Sequence, residues 1–512
     1  RMGILKRSSP ENSSTRPRVQ VGTSFIDYVS VGTALQDAVS RQNHAIFARR
    51  GCGKTLLLHH SARNLSDAQS KTRVIYLNCE DFKRHTFPNV LIEILVSIFS
   101  EMRKNISGWF GKKARNAAML DSITSKLNLM KVSPDNQSED VKTKQQNDLS
   151  GKALVDLTKF EQKVGGEVSA KTSRETERSF KVHRDKLSEL DNWLPDLKKT
   201  VREFFDLSSR VDCVLIQIDD FYHLRRSDQA FVIDYIHRLC KDVPIFFKLA
   251  TLRHSSTLYA DGEGQPIGAQ ERHDYQPINI DYTFSDFAKT SAQNKAILEQ
   301  FGAKVGLDRD EIKALFRGEG FDRLVMAGGG VPRDVLSLFI ELLNDCVIEG
   351  DKAIGKDEVR LMSKQNFERK IEELKEDSKV EEQGDLIKGI YIIREFCLNK
   401  QSNIFLVSEH LLRQSDEWKA LIYRLLDYRI IHTCATALTH KSTAGTYHAF
   451  AVDIGCYAHM RKLDQRFNEI DVSRKDCKER MRSAPILGES DLKHLASTMP
   501  SDVETALMLP GS

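Results

Sequence analysis

Residues 48–55, Ala-Arg-Arg-Gly-Cys-Gly-Lys-Thr, carry the clearest chemistry in this 512-residue chain. They follow the apolar Ala45, Ile46 and Phe47 and precede Leu56, Leu57 and Leu58, so a strand, a tight loop and a helix are expected in that order, the context a phosphate-binding loop requires. The backbone N–H groups of Arg50, Gly51, Cys52, Gly53, Lys54, Thr55 and Leu56, with the positive end of the next helix, would wrap a triphosphate. Lys54 would reach the outer phosphates and the Thr55 hydroxyl would ligate Mg2+. Ala48 departs from the usual pattern by placing a methyl where the strand turns into the loop.

A second signal is the apolar run 211–218 ending in Asp219 and Asp220. A buried parallel strand with acidic residues at its tip brings a carboxylate to the magnesium shell and to an attacking water. Asp219 is assigned to metal-bound water and Asp220 to positioning the nucleophile; the alternative is a pair that caps the next helix. Asp is shorter than Glu, so slow hydrolysis is expected. The strand 244–250 leads to Thr251 and Arg253, placed to sense a γ-phosphate, or else to act as a helix cap and a surface cation. Arg333 follows a flexible glycine run, 328–330, and Pro332 at a helix start, where a nucleotide phosphate would offset its unfavourable position in the dipole. Arg272 is a weaker candidate for an arginine supplied in trans.

These groups need a scaffold. Hydrophobic residues make up 40% and charged residues 29%, which implies a mostly globular chain of more than one domain. A net charge of +4 does not demand nucleic-acid coating. The nine cysteines stand singly, without zinc spacing, and with no apolar membrane span or signal segment in view a reducing, cytoplasmic setting is expected. The expected organisation is a basic tail (1–20), an α/β core (21–283) with a polar, partly helical insertion (104–186), a helical lid (284–360) and a charged linker helix (361–382). A C-terminal module (383–465) and a tail (466–512) follow. Apolar spacing through 187–204 marks one amphipathic helix, or two around Pro195. In the module, the order helix, strand, helix, helix, strand, loop, strand matches a winged helix. Its candidate recognition helix (417–428) carries Lys419 and Arg424 but also Glu417 and Asp427, so DNA contact and protein packing both remain open.

With these residues assembled, the chain resembles the AAA+ ATPases of the origin-recognition type and the related STAND signalling ATPases, including members from mobile-element and phage-defence settings. Residues 49–55 look like the Arg-Gly-x-Gly-Lys-Thr form of those initiators, 215–220 are similar to the double-Asp ending of STAND members, and Val331-Pro332-Arg333 matches the lid position of both. The resemblance implies an α/β fold: a P-loop NTPase three-layer αβα core, a helical lid and a C-terminal winged-helix domain. It also implies ATP with Mg2+ as cofactors, and a protein partner or homo-oligomer. An Asn-Lys-x-Asp guanine signature is absent, which favours ATP over GTP. Two other readings stand beside a regulatory ATPase: a DNA-binding regulator with a degenerate loop, and a nucleotide-gated scaffold for a nuclease or toxin partner.

Overall fold

The computed structural model describes residues 27–68, 70–104, 111–132, 173–260, 266–350, 352–377, 380–458 and 467–508. The basic tail, and most of the insertion, lie outside them. Helix α1 (Ala34–Val39) leads to β1 (His44–Phe47), the loop and α2 (Lys54–Asp67). Strand β2 (Thr72–Asn78) is followed by α3 (Asn89–Arg103), α4 (Lys112–Val132) and α5 (Ser173–Leu207). Then come β3 (Cys213–Asp219), α6 (Arg226–Cys240), β4 (Ile245–Thr251) and β5 (Gln276–Asn279).

The five strands form one parallel sheet in the order β2-β3-β4-β1-β5. Alternation along β1 shows why both faces are covered: Ala45 and Phe47 join a cluster with α3, α4, α5 and α6, while Ile46 and Ala48 join another with α1 and α2. The result is a mixed α/β unit compatible with a P-loop-type core. Helix α5 runs through Pro195 as one element, because Leu190, Leu194, Leu197 and Val201 on either side of the proline bury onto the same core.

Buried polar residues, Gln217 and Lys248 among them, interrupt the sheet's α1–α2 face. Gln217 donates to the Leu58 carbonyl and to Ser61 of α2, both at 2.9 Å. Lys248 reaches the C-terminal end of α1, where its ammonium donates to the carbonyls of Asp37 (2.9 Å), Ser40 (2.7 Å) and Gln42 (2.9 Å). Burial pushes the Lys248 pKa down to about 7, while those carbonyls and the end of the helix favour its charge.

Beyond the sheet lie α7 (Phe287–Lys304), α8 (Arg309–Ala314), α9 (Gly320–Ala327), α10 (Pro332–Leu342) and α11 (Lys356–Asp377). The last differs from a solvated linker. Phe367, Ile371 and Leu374 are buried in the same cluster as the lid and the C-terminal module, which turns the charged helix into a strut. The module comprises α12 (Val380–Asn399), β6 (Ile404–Ser408), α13 (Glu409–Gln414), α14 (Asp416–Asp427), β7 (Ile431–Thr439) and β8 (Thr446–Val452), with an antiparallel sheet in the order β6-β8-β7. Residues 467–508 are not a tail. Ile470, Met481, Leu487, Leu492 and Leu495 enter the common core, and the chain around Ile486 runs beside β6, with Leu406 donating to the Pro485 carbonyl and Leu487 donating to the Leu406 carbonyl at 2.8 Å each. These apolar positions are few and spread over short helices, so their spacing alone does not announce a packed segment. Among the described residues no helix is long and apolar enough to cross a membrane.

Replacing Lys248 with Met would remove a charged donor from three carbonyls around the end of α1. Urea unfolding is expected to show a loss of about 3 kcal/mol; an unchanged midpoint would contradict this role.

Candidate nucleotide-binding site

The loop between β1 and α2 is built by two left-handed glycines, Gly51 (φ 83°) and Gly53 (φ 91°). Gly51 is constrained twice: a Cβ there would lie 2.7 Å from the Arg333 Cβ and 2.9 Å from Val331 Cγ1. Residues 331–333, at the start of α10, therefore rest directly on the loop, and the Arg333 N–H donates to the Gly51 carbonyl at 3.3 Å. Lys54 is buried, and its ammonium donates to the carbonyls of Ala48 (2.9 Å) and Arg49 (3.2 Å), which curls the loop around it. Burial lowers its pKa, opposed by the charges of Asp220 and Asp219. Cys52 is buried and its thiol donates to Asp281 at 3.4 Å.

Asp219 ends β3, fully buried. One of its oxygens accepts the Asp220 N–H at 2.9 Å and the other accepts the Tyr76 hydroxyl at 2.8 Å; the Thr55 hydroxyl also bonds to it. Burial and the neighbouring Asp220 charge push its pKa up to about 6. Asp220 takes a left-handed backbone (φ 51°), and heads the turn Phe221–His223 without a side-chain cap. Its carboxylate accepts from the Tyr222 hydroxyl, and the Tyr222 ring lies 4.6 Å below the Arg50 guanidinium. Loop, Thr55 and acidic pair thus meet at one end of the sheet.

The strand-tip candidates divide. Thr251 is buried and shares a hydrogen bond of 2.5 Å with Ser256. Arg253 turns elsewhere: its guanidinium covers the Phe47 ring at 4.4 Å and pairs with Glu271 at 3.0 Å. Arg272 is exposed in a tight turn with a left-handed backbone (φ 69°). Arg333 pairs with Glu373 of α11 at 2.9 Å.

Several residues at this site escape local pattern reading. Arg49 is buried and grips Asp281 through Nε (2.7 Å) and Nη2 (2.9 Å), while its own N–H donates to the same carboxylate at 3.0 Å. Its Nη1 donates to the Gly329 carbonyl at 2.9 Å and to His432 Nδ1 at 3.1 Å. Because Arg49 can only donate, His432 Nδ1 is the acceptor and Nε2 carries the hydrogen, facing Asp453 at 3.5 Å. Burial, with the Lys370 and Arg49 charges, pushes the His432 pKa down to about 4. His432 sits so close to Gly329 that a Cβ there would lie 2.2 Å from its ring.

The module makes further contacts with the rest of the chain. Asp427, the last residue of α14, is buried and accepts the N–H groups of His254 (2.9 Å) and Ser255 (2.6 Å), and Tyr423 stacks on His254 with ring centres 4.4 Å apart. Arg429, buried with a left-handed backbone (φ 66°), pairs with Asp334 and Glu373. Lys370 joins Asp453 at 2.6 Å. Helix α14 therefore docks its C-terminal half on the α/β core. On the β7–β8 hairpin, Lys441 is held by Glu479 at 3.0 Å.

The oxygens of Thr55 and Asp219 suit a hard cation such as Mg2+, which takes one or two carboxylates and fills the rest of its shell with phosphate and water. Among the described residues no larger His, Cys, Asp or Glu cluster competes for a metal. No protein-family model matches the chain, and no curated protein does. Among solved structures it is similar to a chain in the structure of Drosophila ORC bound to DNA, at 11% identity and a TM-score of 0.32, over 90% of this chain and 98% of that one.

His432 and Asp427 give opposite pH dependences to docking. His432 is held near 4, below its ordinary 6.5, so its contribution is complete above pH 6.5 and is lost as pH falls toward 4. Burial pushes Asp427 up to about 6, above its ordinary 3.8, so its contribution is complete below pH 3.8 and is lost as pH rises through 6. Asp427→Asn keeps an acceptor and removes the second dependence. Its thermal midpoint is expected to fall more steeply than wild type from pH 6.5 to 5; parallel profiles would contradict the assignment.

Proposed function

We propose that this chain is an ATP-binding, slowly hydrolysing switch whose nucleotide state sets whether its C-terminal module stays docked, and so controls assembly with DNA or a partner effector. The observation that carries this reading is the hydrogen bond from Arg49, inside the phosphate-binding loop, to His432 of the module. A ligand shifts such an equilibrium only through contacts that differ between its two states, and a loop that touches both phosphate and module supplies that difference.

In this reading Lys54 and the loop amides hold the triphosphate, and Asp219 and Thr55 hold the metal shell. Mg2+, when bound, would supply neutralising charge for the phosphates. Asp220 positions the attacking water, with Tyr222 fixing its carboxylate. Arg333, tied through its backbone to Gly51, links loop occupancy to the lid. Thr251 stays a candidate at the strand tip, whereas Arg253 would have to leave Glu271 to reach a phosphate.

The module reads as a winged helix whose recognition helix is masked at rest. That favours release of a protein-binding or self-assembling face as the first output, with DNA contact after undocking. A degenerate-loop DNA regulator fits less well, because its recognition helix would be expected to stand free.

Fluorescent ATP-analogue binding tests the site. Lys54→Ala is expected to weaken affinity roughly 100-fold, the worth of a charged hydrogen-bonding group. Asp220→Ala is expected to bind like wild type and to fail in single-turnover hydrolysis. Equal affinity in wild type and Lys54→Ala would reject the site.

A further inference from the structure

We infer that Tyr76 is a positioning residue for Asp219, and that it sets how strongly nucleotide binding depends on Mg2+. The inference rests on the reading of Asp219 as the carboxylate of the metal shell. Tyr76 lies on β2, which runs parallel to β3 in a register that places Asn78 opposite Asp219 and Tyr76 opposite Gln217. From two residues back its side chain reaches forward, and its hydroxyl donates to Asp219 at 2.8 Å. The other Asp219 oxygen is held by the Asp220 N–H at 2.9 Å. Each oxygen of the carboxylate thus has its own protein donor, which fixes the rotation of the group. The Tyr76 ring is itself held by the His59 ring of α2, the helix that begins at Lys54, with centres 4.6 Å apart.

A carboxylate that orients metal-bound water must keep one rotamer, and partners that hold a ligand in this way typically contribute 10–100-fold to metal affinity. Without the hydroxyl, Asp219 loses one of the donors that orient it. A purely packing role for Tyr76 would leave Mg2+ dependence untouched when only the hydroxyl is removed, since the ring and its contact with His59 remain.

The test uses the full chain, with a fluorescent ATP analogue as probe, first in EDTA and then titrated with MgCl2. Tyr76→Phe is expected to bind the analogue in EDTA as wild type does, and to need about tenfold more Mg2+ for the half-maximal change. Asp219→Asn, run in parallel, is expected to shift at least as far. His59→Ala, which keeps the hydroxyl and removes the ring's support, should shift less in the same direction. If Tyr76→Phe follows the wild-type Mg2+ curve while Asp219→Asn does not, the role of Tyr76 is overturned and the acidic site stands. If neither variant shifts, the reading of Asp219 fails, and the inference with it.

Discussion

The guanidinium of Arg49 is the point on which the arrangement turns. It is buried, it cannot lose its proton, and so every neighbour must accept from it. Those acceptors come from three parts of the chain: Asp281 beyond the edge strand β5, the Gly329 carbonyl of the lid, and His432 of the module. Removing one partner of such a buried pair typically costs about 3–5 kcal/mol, because the charge left behind is not solvated. The loop after β1, the glycine run before α10 and the module are therefore tied by one side chain.

Around that fork the other contacts reinforce the same state. Asp427 occupies two amides just beyond β4, Arg429 bridges to Asp334 and Glu373, and Lys370 closes the set through Asp453. A network of this kind is costly when partly broken and specific when whole. It suits an element with two discrete positions better than one that drifts. Close packing of Val331 and Arg333 on Gly51 adds a steric contact between the loop and the start of α10.

Much of the core was legible in the sequence because its signals are local. The loop pattern, the buried strand before Asp219 and the apolar spacing of α5 each declare themselves within about twenty residues. The site's partners do not. Arg49 and Arg50 are indistinguishable neighbours in the chain, yet one grips Asp281 more than two hundred residues away while the other stacks on Tyr222. His432 and Asp427 carry no spacing signal, since their roles arise only when the module folds back. The same long-range packing explains why the charged helix became a strut, and why residues 467–508, read as a tail, complete the core.

The most direct test of this coupling is hydrogen exchange across β7, the strand that carries His432, in the full chain with and without Mg2+ and a non-hydrolysable ATP analogue. Faster exchange in β7 on adding nucleotide to wild type, absent in Lys54→Ala, is the predicted result. Nucleotide that binds wild type tightly yet leaves β7 exchange unchanged would contradict the link between loop and module.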